Sequence, residues 1–220
     1  MTRLEIQTRI LRRLNDNPNE PVYWSKAEVQ AAIAEGMDVL SEEAPFVKRT
    51  FSIPRRQGVQ MYQLPGIGPN ILAPYRLWLP DLHRRLEAVT LADLDGRYER
   101  WLEVPAEPWW WYPLSWDSFG VWPAPDGVGT IEVNCLCFAD PLMDDSDEPE
   151  FQPALTETLV EYGVALGYLK QWMAQDYGQT LQQFLAGAKH NRALSSLLQV
   201  QGRFFTRRQA REGDARQRSL

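Results

Sequence analysis

Apolar residues recur at helical spacing at both ends of the chain and at period two in between. Leu4, Ile6, Ile10, Leu11 and Leu14 share one broad face, with Arg3, Arg9, Arg12 and Arg13 mostly off it. This predicts a helix running from Thr2, as N-cap, to about Asp16, where Asn15-Asp16-Asn17-Pro18-Asn19 stops it. A second helix is predicted from Ser25: Ser25-Lys26-Ala27-Glu28 has the form of a capping box, Val29, Ile33, Met37 and Leu40 follow at helical spacing, and Pro45 ends it.

From Phe46 to Asp140 the pattern alternates, prolines and glycines punctuate it, and β-branched and aromatic residues dominate, which predicts a sheet. Val47 to Ile53 and Val59 to Leu64 read as a hairpin across Pro54-Arg55-Arg56-Gln57-Gly58. Further strands are expected over Ile71–Leu79, Leu86–Thr90, Trp109–Tyr112, Phe119–Trp122 and Thr130–Phe138, with a short helical turn over Leu91–Tyr98. Beyond the acidic run Asp144 to Glu150, too charged and too poor in apolar groups to pack, Leu155, Leu159, Tyr162, Leu166, Leu169 and Met173 form one continuous helical stripe. A turn near Gln175 to Gly178 then leads to a last helix carrying Leu181, Phe184, Leu185, Ala188, Leu194, Leu197 and Leu198.

Four amphipathic stripes of similar length can bury one another. The expected class is therefore mainly α with an inserted β module (α+β): an antiparallel bundle of about four helices, a small antiparallel β domain and an extended C-terminal arm. The expected divisions are 1–45 and 151–202 for the bundle, 46–140 for the β module, 141–150 for an acidic linker and 203–220 for a basic arm.

Composition narrows the class. With 220 residues, 44% hydrophobic and 24% charged, the chain has enough apolar material for a core and too little charge for wholesale disorder. No run approaches the roughly 18 apolar residues of a membrane span, and Met1 to Asn17 lacks the apolar core of a signal peptide, so no membrane is expected and the chain is expected to stay in the compartment where it is made. Cys135 and Cys137 offer no disulfide framework and suit a reducing compartment.

A net charge of -6 argues against tight wrapping of nucleic acid. The charge is unevenly placed: six arginines after residue 202 against Glu212 and Asp214 give a net of +4 there, leaving -10 on the rest.

Residues able to do chemistry are scarce, so a non-catalytic protein without cofactor or metal is expected. His83 and His190 stand alone, without a ligand-spaced neighbour, and read as surface. Cys135 and Cys137 share a strand face with Ile131 and Val133 and read as core. The acidic run lacks the glycine and ligand spacing of a calcium loop. Pro65-Gly66-Ile67-Gly68-Pro69 lacks the Lys-Ser/Thr of a phosphate loop. Carboxylate pairs such as Glu103 and Glu107 are what any acidic chain contains by chance.

Two features ask for a purpose. Trp109, Trp110, Trp111 and Tyr112, with Trp101, Trp116 and Trp122 nearby, point to both faces of a strand. Either some of these rings lie outside the module's own core, against a partner or ligand, or the segment folds back as a lid over that core. The second feature is the arm, where Arg203, Arg207, Arg208, Arg211, Arg216 and Arg218 accompany Phe204 and Phe205. Its few large apolar groups cannot offset an ordering cost of about 1–2 kcal/mol per residue, so it is expected to order only on a partner. Arginine forks suit a negatively charged or grooved protein surface; a nonspecific nucleic-acid contact and a solvated terminus are the competing readings.

The order of elements, together with Trp122-Pro123-Ala124-Pro125-Asp126-Gly127, Ile131 to Cys135, Ala139-Asp140-Pro141-Leu142, the acidic run, and the opening helix pair joined by Glu20 to Ser25, resembles the head-to-tail adaptor (connector) proteins of tailed bacteriophages. The chain departs from that habit at Cys135-Leu136-Cys137-Phe138, where tyrosines are frequent, and in its tryptophan density. The resemblance implies a structural virion protein, assembled in the host cytoplasm. It would form a ring, of twelve copies in the family habit, beneath the portal, extending the DNA channel and carrying the tail. Its implied partners are the portal protein, neighbouring subunits, a tail or nozzle protein, and genomic DNA passing without specific binding. The arm from Arg203 to Arg218 would dock on the portal, and Trp109, Trp110, Trp111, Tyr112 and Trp116 would face a neighbour or the tail.

Two rivals come from other classes. A carbohydrate-binding module would use the tryptophans as exposed, coplanar stacking platforms. An acid–base hydrolase would need a pocket with two convergent carboxylates of perturbed pKa.

Overall fold

The computed structural model describes residues 1–97, 105–115, 117–151 and 153–198. Among them five α-helices and seven strands follow in the order α1 (Arg3–Arg13), α2 (Lys26–Glu43), β1 (Val47–Arg55), β2 (Met61–Gln63), β3 (Ile71–Leu79), β4 (Arg84–Ala88), α3 (Leu91–Arg97), β5 (Trp110–Ser115), β6 (Ser118–Trp122), β7 (Gly129–Cys137), α4 (Pro153–Lys170) and α5 (Ala174–Leu198). The first two helices begin where expected. Thr2 and Ser25 each cap an N3 amide, and Glu5 and Glu28 reach back to the cap amides, so two orphan donors are satisfied at each start.

The strands form one mixed sheet in the order β1-β7-β3-β4-β5-β6-β2. This overturns the expected architecture of an antiparallel helical bundle with a small antiparallel β domain: the sheet is a major part of the fold and is not wholly antiparallel. β4 pairs with β5 in parallel, Glu87 opposite Trp110 and Ala88 opposite Trp111. Parallel neighbours need a long crossover, and α3 lies within the connection that supplies it. The expected hairpin of β1 with β2 is also wrong, because these strands lie at opposite edges of the sheet and β2 pairs with β6. Proximity in sequence suggested the hairpin; pairings across tens of residues displaced it.

The chain divides into two compact units, one of residues 1–49, 68–73 and 135–198 and the other built around 50–67 and 74–134. In the first, α4 packs against α1, α2 and α5. Leu155, Leu159, Val160, Tyr162, Val164 and Ala165 are buried around its whole circumference, as befits a helix with neighbours on several sides. Close approach rests on glycine: a Cβ on Gly163 would lie 2.5 Å from Ile10 Cδ1, and one on Gly167 2.5 Å from Leu14 Cδ1. The stripe expected to run from Leu155 to Met173 stops short of its end. Leu169, in the last turn of α4, and Met173, beyond its end at Lys170, are exposed.

In the second unit the core gathers Leu94, Tyr112 and Trp122, with Val89, Leu91, Trp110 and Leu114 packed on it. β5 and β6 pair antiparallel, Trp110 opposite Trp122 and Tyr112 opposite Gly120, with an irregularity between Pro113 and Ser115.

Candidate interaction surface

At one end of the helical unit the loop between α1 and α2 is wound around a carboxylate. Asp16 accepts from the backbone amides of Asn17, Val22, Tyr23 and Trp24. The Val22 amide, with those of Trp24, Tyr23 and Asn17, holds its carboxyl below the usual range. Lys170, the last residue of α4, then ties this loop to the helix. Its Nζ donates to Tyr23 O at 3.2 Å and to Glu28 Oε1 at 2.8 Å, and stands 4.4 Å from the centre of the Trp24 ring and 5.0 Å from that of Tyr23. Lys170, then the Ser25 amide and hydroxyl, pull the Glu28 carboxyl down to about 2.

Around this anchor lie large apolar groups that the unit leaves in solvent: Val22 and Trp172, each 93% exposed, with Tyr23, Leu169 and Met173 about half-exposed. Beside them a cleft of about 200 Å³ opens between α1, α2 and α4, with Ile10, Leu14, Val29 and Leu166 among its walls. Two carboxylates line it, Glu28 and Glu35. Both have structural work: Glu28 holds Lys170 and the α2 cap, and Glu35 Oε1 accepts from the Tyr162 hydroxyl at 2.7 Å. A Glu held ionised down to about pH 2 is unsuited to donating a proton at neutral pH.

The aromatic cluster on β5 divides sharply. Trp111 and Tyr112 are buried, Trp110 is half-buried with its ring centre 5.1 Å from that of Trp122, and Trp122 is buried. Trp109 is 51% exposed, and the Arg84 guanidinium sits 3.7 Å over its ring while bonding Glu107 at 3.1 Å. Within the expected aromatic surface Trp111 and Tyr112 are both buried: alternation along β5 turns Tyr112, with Trp110 and Leu114, onto the cluster of Leu94 and Trp122, and Trp111 to the opposite face. Trp109 remains as the exposed ring, and Trp116 lies outside the described residues. A coplanar platform for sugar rings is not formed by rings that face into a core.

The acidic run is exposed yet bound at defined points. Asp145 pairs with Lys26 and Arg3, each at 2.8 Å, and those two cations lower its carboxyl below the usual range. Its backbone carbonyl and that of Asp147 accept from the Leu4 and Arg3 amides at the start of α1. Asp147 also accepts from the Met143 and Asp144 amides. Arg49 bridges Asp140 at 2.8 Å and Glu150 at 3.0 Å. Charge count alone hid this: Asp145 and Asp147 complete the N-terminus of a helix whose first amides lack intrahelical partners.

The remaining reactive groups are unremarkable in placement. Cys135 and Cys137 are fully buried, and burial pushes the Cys135 thiol up to about 12. His83 and His190 are exposed. Among the described residues no group of three or more His, Cys, Asp or Glu is placed to hold a metal ion, and no helix is long and apolar enough to cross a membrane. Arg203, Phe204, Phe205, Arg207, Arg208, Arg211, Arg216 and Arg218 lie outside the described residues. Sequence reasoning missed Lys170 and Trp172, for which the only signal was an apolar stripe running past the end of its helix.

The helical unit thus presents exposed apolar side chains around the anchor made by Lys170 and Glu28. A family model described as SU10 adaptor protein matches residues 1–218, and the chain belongs to that family of phage head-to-tail adaptors. No curated protein matches it.

Proposed function

We propose that the chain closes into a ring, of twelve copies, beneath the portal, extends the channel through which DNA leaves the head, and provides the platform on which the tail is built. The family match over nearly the whole length carries this reading. The charge distribution supports it. A body of net -10 repels phosphates and lets DNA slide, whereas a basic lining would retain it. The arm, net +4, is suited to docking on the portal through Arg203, Phe204, Phe205, Arg207, Arg208, Arg211, Arg216 and Arg218. Trp109, exposed beneath Arg84, is offered to a neighbouring subunit or to the tail or nozzle protein. Assembly takes place in the host cytoplasm, before the ring becomes part of the virion.

The test is co-sedimentation or native mass spectrometry of the full chain with the portal protein of the same virion, beside a chain ending at Gly202. Portal binding by the full chain and its loss on truncation are expected. Equal binding by both chains removes the arm from the reading, and tight retention on duplex DNA at physiological salt overturns the sliding channel.

A further inference from the structure

Two helices of this chain end in the same way, with one difference that the fold itself does not explain. At the end of α1 the Asn15 amide donates to Arg12 O and the Asp16 amide to Leu11 O, with Asn15 left-handed at φ 57°. At the end of α4 the Trp172 amide donates to Leu169 O and the Met173 amide to Tyr168 O, with Trp172 left-handed at φ 60°. This is the helix stop that glycine favours and asparagine tolerates. At α1 the chain uses asparagine. At α4 it places its bulkiest side chain in a backbone region that costs a non-glycine residue, and then leaves that side chain 93% exposed. Neither cost is recovered within the helical unit.

The same end of the unit carries a receptor. The cleft has apolar walls at Ile10, Leu14, Val29 and Leu166, small side chains at Ala31 and Ala32, and carboxylates at Glu28 and Glu35 on its lining. At about 200 Å³ it is of the order of one indole ring. An indole is an apolar body with one N–H donor, and the cleft is an apolar slot bordered by acceptors. Copies of a chain of net charge -6 carry the same net sign, and apolar contact between them offsets that repulsion. A tryptophan buries about 150–250 Å², and exposed Val22, Tyr23, Leu169 and Met173 extend the apolar surface around it.

We propose that Trp172 of one copy inserts into the α1–α2–α4 cleft of a second copy, its indole N–H directed at the Glu35 carboxylate. The contact proposed is heterologous, knob to hole in one direction, so that it repeats from copy to copy until rotation closes it. This deepens the ring reading and rests on it, naming the residues by which subunits hold one another.

The discriminating variant is Trp172→Asn, which suits the left-handed position better than the native residue. In sedimentation velocity, the full-length wild type is expected to self-associate with rising concentration. Trp172→Asn is expected to stay monomeric at the same concentrations, with a melting temperature equal to or above that of the wild-type chain held monomeric by dilution. Mixing two single variants, Ala31→Cys and Trp172→Cys, is expected to give a disulfide-linked mixed dimer under mild oxidation. A wild-type chain that remains monomeric overturns the proposal, as does a Trp172→Asn chain that assembles normally. Trp172→Cys linking mainly to itself also overturns it, since that places two copies of position 172 side by side instead of one in the other's cleft. Portal binding measured on the Trp172→Asn monomer keeps the two readings apart: its retention leaves the adaptor role standing if the Trp172 contact fails, and its loss on truncation at Gly202 leaves the Trp172 contact untouched.

Discussion

Tyr112 lies across Gly120, its directly opposed partner on β6, so closely that a Cβ on Gly120 would stand 2.2 Å from the ring's Cζ and 2.5 Å from its hydroxyl oxygen. The glycine is the floor on which the ring rests, and the ring is part of the core of the sheet unit. Gly120→Ala is therefore expected to displace Tyr112 and to destabilise the protein by about 1–3 kcal/mol, the range for overpacking a closed core. Urea unfolding measures it; an unchanged midpoint would show that the ring moves aside without loss.

On the helical unit the corresponding pair is Gly163 and Ile10, where an added Cβ meets Ile10 Cδ1 at 2.5 Å. Gly163→Ala gains about 1 kcal/mol of helix propensity and loses roughly 1–3 kcal/mol to crowding, so the net effect is expected to be destabilising. Ile10→Val removes the Cδ1 carbon, and in that background the same glycine substitution is expected to lose most of its cost. A double-mutant cycle with a coupling near zero would refute the contact.

Acid is expected to loosen the helical unit in a defined window. Lys170, with the Ser25 amide and hydroxyl, lowers the folded carboxyl of Glu28 from 4.5 to about 2, while Lys26 and Arg3 lower that of Asp145. A carboxyl depressed on folding contributes stability above its unfolded value and loses it as pH falls through the folded one. The urea midpoint is thus expected to fall between about pH 4.5 and pH 2, and Lys170→Met is expected to flatten that fall. An identical pH profile for the variant would remove Lys170 as the cause.

Burial of Cys135 and Cys137 on β7, with the Cys135 thiol pushed up to about 12, leaves too little accessible thiolate at pH 8 to react. Folded protein is expected to give no colour with Ellman's reagent over minutes, and both thiols are expected to react once the chain is unfolded in guanidinium. Reaction in the folded state would mean that β7 opens locally.

The helix starts were legible because their signals are local. Thr2 with Glu5 and Ser25 with Glu28 are separated by three residues and do not depend on what the rest of the chain does. Strand identity was legible for the same reason: Ile71–Leu79 could be read from period and composition alone, and β7 differed from expectation by one residue at each end. Strand pairing was not legible. β1 joins β7 across more than seventy intervening residues, and β4 exchanges β3 for β5 along its length. Nothing in the alternation of a strand says which neighbour it takes. The aromatic cluster showed the same limit, since four consecutive rings announce two faces without saying that Trp111 and Tyr112 are both buried while Trp109 is half-exposed.

By itself, then, the order of residues determined where the first two helices begin, which segments are strands, that Cys135 and Cys137 point inward, and that acid and base are segregated along the chain, because each depends on neighbours a few residues apart; the turn expected over Gln175 to Gly178 instead lies inside α5. The tertiary structure decided the single mixed sheet, the pinning of Asp145 and Asp147 to the start of α1, the burial of Tyr112 and the exposure of Trp172. Those outcomes arise from close packing between distant segments, where glycines at 120 and 163 set how near two elements come, and such distances are fixed only when both partners are in place.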